Sequence, residues 1–152
     1  MKKLFSVLLS AVLLLGLFGC GKKVEYTKHC TVTVDAREVM LSSTMVAKEA
    51  VDKLGGKLPD LEKLSVGFAE GETVQQVVLR TLQEQKLQYE QDSSGFLCAI
   101  GSLYNGDAGE LSGWLYTVNG EQPMVASSDY AVQEGDEIRF FYTINFLTHQ
   151  MQ

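Results

Sequence analysis

Polar and apolar residues alternate along residues 30–36. Cys30, Val32, Val34 and Ala36 fall on one side and Thr31, Thr33 and Asp35 on the other, which is the period of a strand with one buried face. Residues 46–54 then carry helix formers, with Gly55-Gly56 as a stop and Pro59 beyond, so a short helix is expected there. Residues 63–68 read as a second strand. Glu70-Gly71-Glu72 turns the chain, Thr73 stands where an N-cap belongs, and Gln76 three residues on completes a capping box. Val74, Val77, Val78 and Leu82 follow at helical spacing. The main helix is therefore expected over residues 73–86, with those four side chains facing the core.

Past that helix the period returns to two. Residues 95–103 place Phe96, Cys98 and Ile100 on one face, and residues 105–113 form a Gly-rich polar loop. Trp114, Tyr116 and Val118 alternate with Leu115 and Thr117. Asn119-Gly120 fits a type I′ turn, whose two central positions both need positive φ. Residues 121–125 are expected to return along that hairpin, although Pro123 bars a central ladder position. Glu134-Gly135-Asp136 then launches a last strand in which Ile138, Phe140, Tyr142 and Ile144 alternate with Arg139, Phe141 and Thr143. Strands before and after one main helix make the fold class α+β.

The first residues change the picture from a domain to an addressed domain. Lys2 and Lys3 precede an apolar run over residues 4–17, shorter than the ~20 residues a helix needs to span a bilayer and suited to the h-region of a signal peptide. Leu17-Phe18-Gly19-Cys20 resembles a bacterial lipobox, with an aliphatic residue three before the cysteine, a small one just before it, and a thiol to take the lipid. Residues 1–19 are thus expected to be removed and Cys20 to be the site of lipid attachment. Two or more acyl chains anchor a protein stably, so the bilayer is an expected partner and the location is extracytoplasmic, at the bacterial cell membrane. Residues 20–29 read as a membrane-proximal tether reaching at most about 35 Å, residues 30–146 as the domain, and residues 147–152 as a polar tail.

Charge and chemistry narrow the function. The chain has 13 basic and 19 acidic residues, and loss of Lys2 and Lys3 would take its net charge from −6 to −8. That sign offers no footprint for nucleic acid. Two cysteines remain after Cys20. Cys30 and Cys98 are either a disulfide, as an extracytoplasmic setting permits, or two small buried hydrophobes. His29 and His149 are the two histidines, and no C-x-x-C, H-E-x-x-H, G-x-S-x-G or P-loop occurs, so neither a metal site nor an enzyme is expected.

Three segments together resemble a known family. "EGETVQQVVLRTL" (residues 70–82), "SGWLYTVNG" (112–120) and "YAVQEGDEIRFFYT" (130–143) are similar to the transcobalamin C-terminal-like domain, which occurs in bacterial surface proteins and lipoproteins. The resemblance implies a β-grasp-like mixed sheet packed on one main helix, and a module that binds a small soluble ligand. In vertebrate cobalamin carriers the matching domain covers one side of a bound corrinoid, so cobalamin is a ligand the resemblance allows. The candidate ligand-binding residues are Trp114 and Tyr116 on the hairpin and Tyr104, Asn105 and Asp107 in the Gly-rich loop. Trp114 reads either as core packing or as a ligand contact, and the loop either as a turn or as a binding loop. The alternative function is a cell-surface protein-interaction or adhesion module without a small-molecule site. Cys20→Ser is expected to abolish labelling with radioactive palmitate and to leave the chain unprocessed or released from the membrane fraction. Unchanged labelling and sedimentation would contradict the lipid anchor.

Overall fold

The computed structural model describes residues 25–149; the expected signal peptide, the expected lipid site Cys20 and residues 150–152 lie outside the described residues. In chain order the elements are β1 (Lys28–Asp35), α1 (Arg37–Leu41), α2 (Met45–Lys53), β2 (Leu61–Phe68), α3 (Val74–Glu84), β3 (Tyr89–Gln91), β4 (Leu97–Ile100), β5 (Leu103–Tyr104), β6 (Gly113–Val118) and β7 (Glu137–Thr143), followed by a 3-10 turn at Phe146–His149. Four strands form one sheet in the order β2-β1-β7-β6, and β3-β4-β5 form a second, smaller sheet. β1 pairs antiparallel with β2, and β6 antiparallel with β7, while the central pair β1 and β7 is parallel. With α3 packed on one face, this is a β-grasp-like α+β fold.

The inner face of the large sheet is the one the alternation marks. Val32, Val34, Phe68, Ile138 and Tyr142 are buried there together with Val74, Val77, Val78 and Leu82 of α3. Thr81 is also buried on that helix, and its hydroxyl donates back to the Val77 carbonyl at 2.8 Å, so its polar atom is satisfied within the helix. The capping box forms as its residues require. Gln76 N–H donates to Thr73 Oγ1 at 3.4 Å, and Thr73 N–H to Gln76 Oε1 at 2.9 Å. On the outer face, Asp35 is buried and takes a 2.8 Å ion pair from each of Arg37 and Arg139. The Arg37 hydrogen bond, with Arg139 adding, holds that carboxyl well below the usual carboxylate range against the opposing effect of burial. The pair to Arg139 fastens β1 to β7 across 104 residues of sequence.

Several details depart from the pattern. β1 begins at Lys28, so residues 28 and 29 belong to the sheet and not to the tether. The short helix α1 has too few residues to display a period; only Val39 of it is buried. The face of β4 is also different from the expected one: Leu97, Ala99 and Ile100 are buried, Cys98 is intermediate, and Phe96 is 57% exposed. Gly95 at φ +84° ends the alternation before Leu97, and Gly101 (φ +64°) with Ser102 (φ +102°) turns Ile100 across to Leu103. Cys30 and Cys98 lie in different sheets as free thiols, each directed at a carbonyl (Val66 and Phe96) instead of at the other, so the disulfide alternative is not the arrangement here. Burial pushes the Cys30 thiol up to about 11. Asn119 and Gly120 do adopt positive φ, +55° and +82°. Beyond that turn, however, the return strand shrinks to one bridge, Val118 with Glu121, before Pro123 leads the chain away.

Val78→Asp is expected to unfold the domain, because it sets an unpaired charge at a fully buried position. Thr73→Ala is expected to cost only about 1 kcal/mol, as a lost N-cap does. Thermal melts of the two variants check the contrast, and a cooperative, unshifted melt for Val78→Asp would contradict the assigned helix face.

Candidate ligand pocket beside Trp114

β6 is an edge strand, and a cavity of about 420 Å³ opens against it. One wall is the turn at residues 94–97 and the other the loop at residues 122–128. The first wall is shaped by Asp92, whose carboxylate accepts from Ser94 N–H at 2.8 Å, Ser94 Oγ at 2.6 Å and Phe96 N–H at 3.0 Å. This small Asx-type turn leaves Phe96 standing outward. The second wall is tied to the sheet by Tyr116, whose hydroxyl donates to the Val125 carbonyl at 2.6 Å. Gln75, in the first turn of α3, holds both walls. Its main-chain N–H donates to Ser127 O at 2.9 Å and its side-chain amide to Gly95 O at 2.7 Å. Val74 N–H likewise donates to Tyr130 O at 2.9 Å, so the loop satisfies helix-terminal donors that would otherwise lack partners.

Aromatic rings form the floor. Tyr116 stacks on Phe140 with centroids 5.6 Å apart and planes at 22°. Trp114 meets Tyr142 edge-on at 5.3 Å and 80°, and its indole N–H donates to Leu103 O at 2.8 Å. Every side chain that lines the cavity is uncharged; the polar ones are glutamine, serine and the Tyr116 hydroxyl. Volume, aromatic floor and a few placed polar groups are the features of small-molecule sites.

The candidate residues divide into two groups. Trp114 is 5% exposed, so most of its ring is core, while it also contributes to the cavity wall alongside the half-buried Tyr116. Tyr104, Asn105 and Asp107 are not among the lining residues; their polar atoms hold the Gly-rich loop in shape. Asn105 Nδ2 donates to Leu97 O at 3.2 Å while its Oδ1 accepts from Trp114 N–H at 2.8 Å, which bridges β4 to β6. Asp107 accepts from Tyr104 N–H at 2.8 Å and faces Lys53 at 3.9 Å. The Tyr104 hydroxyl bonds the Glu90 carboxylate, and its carbonyl accepts from the buried Tyr142 hydroxyl at 2.7 Å. Gln75 and residues 126–128 are wall residues that periodicity did not mark, while Phe96, expected on a face with Cys98 and Ile100, and residues 122–125, expected as a return strand, stand in the walls instead. Pro123 and Ser127-Ser128 were the available signs of a loop. Among the described residues no group of three or more His, Cys, Asp or Glu side chains is arranged to hold a metal ion.

Asn105→Ala is expected to lower stability by about 1–3 kcal/mol, since it strands the Trp114 N–H and the Leu97 carbonyl. A lowered urea midpoint with red-shifted Trp emission is the result to look for; an unchanged midpoint would mean that the bridge carries no load.

The arrangement has counterparts. A family model described as a domain of unknown function (DUF4430) matches residues 71–143, the stretch from α3 to the end of β7. None of the curated proteins matches the chain at a significant level. Among solved structures, haptocorrin in complex with Cbi superposes with a TM-score of 0.50 at 12% identity, over 80% of this chain and 26% of that one. A protein of Ruminococcus gnavus ATCC 29149, described as a candidate metal-binding protein, has a TM-score of 0.44 at 19% identity, over 76% of this chain and 96% of that one. The chain thus spans about a quarter of the length of haptocorrin, and over that span the two share a fold.

Proposed function

We propose that the chain is a lipid-anchored extracytoplasmic protein whose β-grasp-like domain captures a small, neutral, soluble ligand in the cavity beside Trp114. One observation carries this reading: in a chain of net charge −6, a cavity of about 420 Å³ is lined wholly by uncharged side chains over an aromatic floor. Such a site favours ligands with an apolar face and neutral polar groups, since a buried unpaired charge would find no counter-charge. A corrinoid is one ligand of that kind. It is larger than the cavity and would enter by one edge, between Phe96 and Val125, leaving its far side for a second partner. The similarity in fold to haptocorrin, solved with Cbi, supports this choice. We read the domain as a binding protein and not as an enzyme, because the side chains at the cavity are amides, hydroxyls and hydrocarbon, none of them a base near neutral pH.

The chain has one tryptophan, so its emission reports on this site. Full-length protein in mild detergent is to be titrated with cobalamin, other corrinoids and a panel of sugars, with free tryptophan as the inner-filter control. Saturable quenching by a panel member is the expected result. A blue-shifted spectrum that no compound alters would contradict the ligand reading and transfer the function to a protein partner.

A further inference from the structure

We infer that the pocket reads its ligand through the open edge of β6, and that the ligand presents a neutral cis-disposed amide, a primary carboxamide or lactam, to the main chain of Tyr116. This rests on the pocket being the ligand site and goes on to name what it recognises. β6 runs beside β7 from Gly113 opposite Thr143 to Val118 opposite Ile138, and at the next position Asn119 N–H donates to Glu137 O at 2.9 Å, so the odd-numbered residues bond β7. Trp114 N–H and Val118 N–H instead point away, to Asn105 Oδ1 and to Glu121 O. Since main-chain groups alternate along an antiparallel pair, Tyr116 N–H and C=O point away from β7 as well. Among the described residues neither takes a hydrogen-bond partner.

The cavity meets those groups. Leu115 and Tyr116 both line it although their side chains leave opposite faces of the sheet, so the cavity touches the strand edge-on. The edge is closed at both ends. Asn105 covers Trp114 N–H, and Val118 exchanges two main-chain bonds with Glu121, at 2.9 and 3.0 Å. The opening is thus about one residue long, too short for an added strand with several rungs. In an extended residue the N–H and C=O point the same way. A primary carboxamide or lactam offers an acceptor and a donor on one side and answers both. A carboxylate would set its charge against the Tyr116 carbonyl with no cationic side chain in the lining, and an ester has no donor for that carbonyl. The ligand's apolar part would rest against Tyr116 and Phe96.

The test is a ¹⁵N-correlation NMR titration of the full-length chain in dodecyl maltoside micelles with benzamide, methyl benzoate and benzoate, which share a ring and differ at the polar group. Benzamide is expected to shift the Tyr116 amide resonance saturably and to bind about tenfold more tightly than the ester or the acid, as one net hydrogen bond implies. If amide and ester bind equally, with Phe96 and Ser127 resonances shifting, the pocket reading stands and the edge recognition is overturned. If benzamide moves no pocket resonance, the edge recognition is overturned too. The corrinoid titration then decides separately whether the pocket itself binds ligand.

Discussion

The last strand to be synthesised is a central one, and the rest of the fold depends on its arrival. β7 lies between β1 and β6, so neither half of the large sheet is closed until Glu137–Thr143 is in place. Its pairing with β1 joins residues about a hundred positions apart, and the loop-closure entropy of that contact has to be offset by what the strand buries. Ile138, Phe140 and Tyr142 supply the inward side. Arg139 supplies the outward side by joining Arg37 in pairing with the buried Asp35, so that the carboxylate is met from both β7 and its own neighbour. The same strand also builds the site. Phe140 lies under Tyr116, and the Tyr142 hydroxyl reaches Tyr104 O and Ser112 Oγ to fix the loop that carries Asn105.

The pocket is a by-product of how polar groups at two chain turns are satisfied. The first-turn donors of α3 find the carbonyls of the loop after β6, and Gln75 reaches from that same turn to the opposite wall. One residue in the first turn of α3 therefore ties both walls of the mouth. Because these bonds use main-chain carbonyls and a neutral amide, the walls are held without ion pairs, and the cavity keeps an uncharged lining inside an acidic protein. The carboxylate behind the first wall, Asp92, is turned to local bonds with Ser94 and Phe96.

How much of this could be read in advance follows the range of the interactions. Local signals were legible: the alternation of β1, β6 and β7, the Thr73–Gln76 capping box, the helical face of Val74, Val77, Val78 and Leu82, and the Asn119-Gly120 turn. Each depends on residues within a few positions of one another. The β4 face was misread because Gly95 and Gly101 reset the alternation through their backbone angles, which a period count passes over. The loop candidates Tyr104, Asn105 and Asp107 have the composition of a binding loop, but their polar atoms go to partners in β3, β4, β6 and β7 that sequence spacing does not reveal. Gln75 is a polar helix residue that no period singles out. Its role appears only when the 94–97 turn and the 122–128 loop are brought to the same helix end.

The sheet order also relates the start of the described chain to the pocket. Tyr26 lies on Gly67 of β2, where a side chain on the glycine would come within 2.5 Å of it, and the Arg80 guanidinium sits 4.7 Å from its ring. The chain is therefore gripped at the β2 side at the start of the described residues, while the cavity opens at β6, on the far edge of the same four-stranded sheet. The two edges belong to one hydrogen-bonded layer, so their separation is fixed by the strand pairs between them. The central strands β1 and β7 thus stand between the edge that Tyr26 covers and the edge that the cavity opens on, and a group too large for the cavity would extend past β6, on the side away from Tyr26.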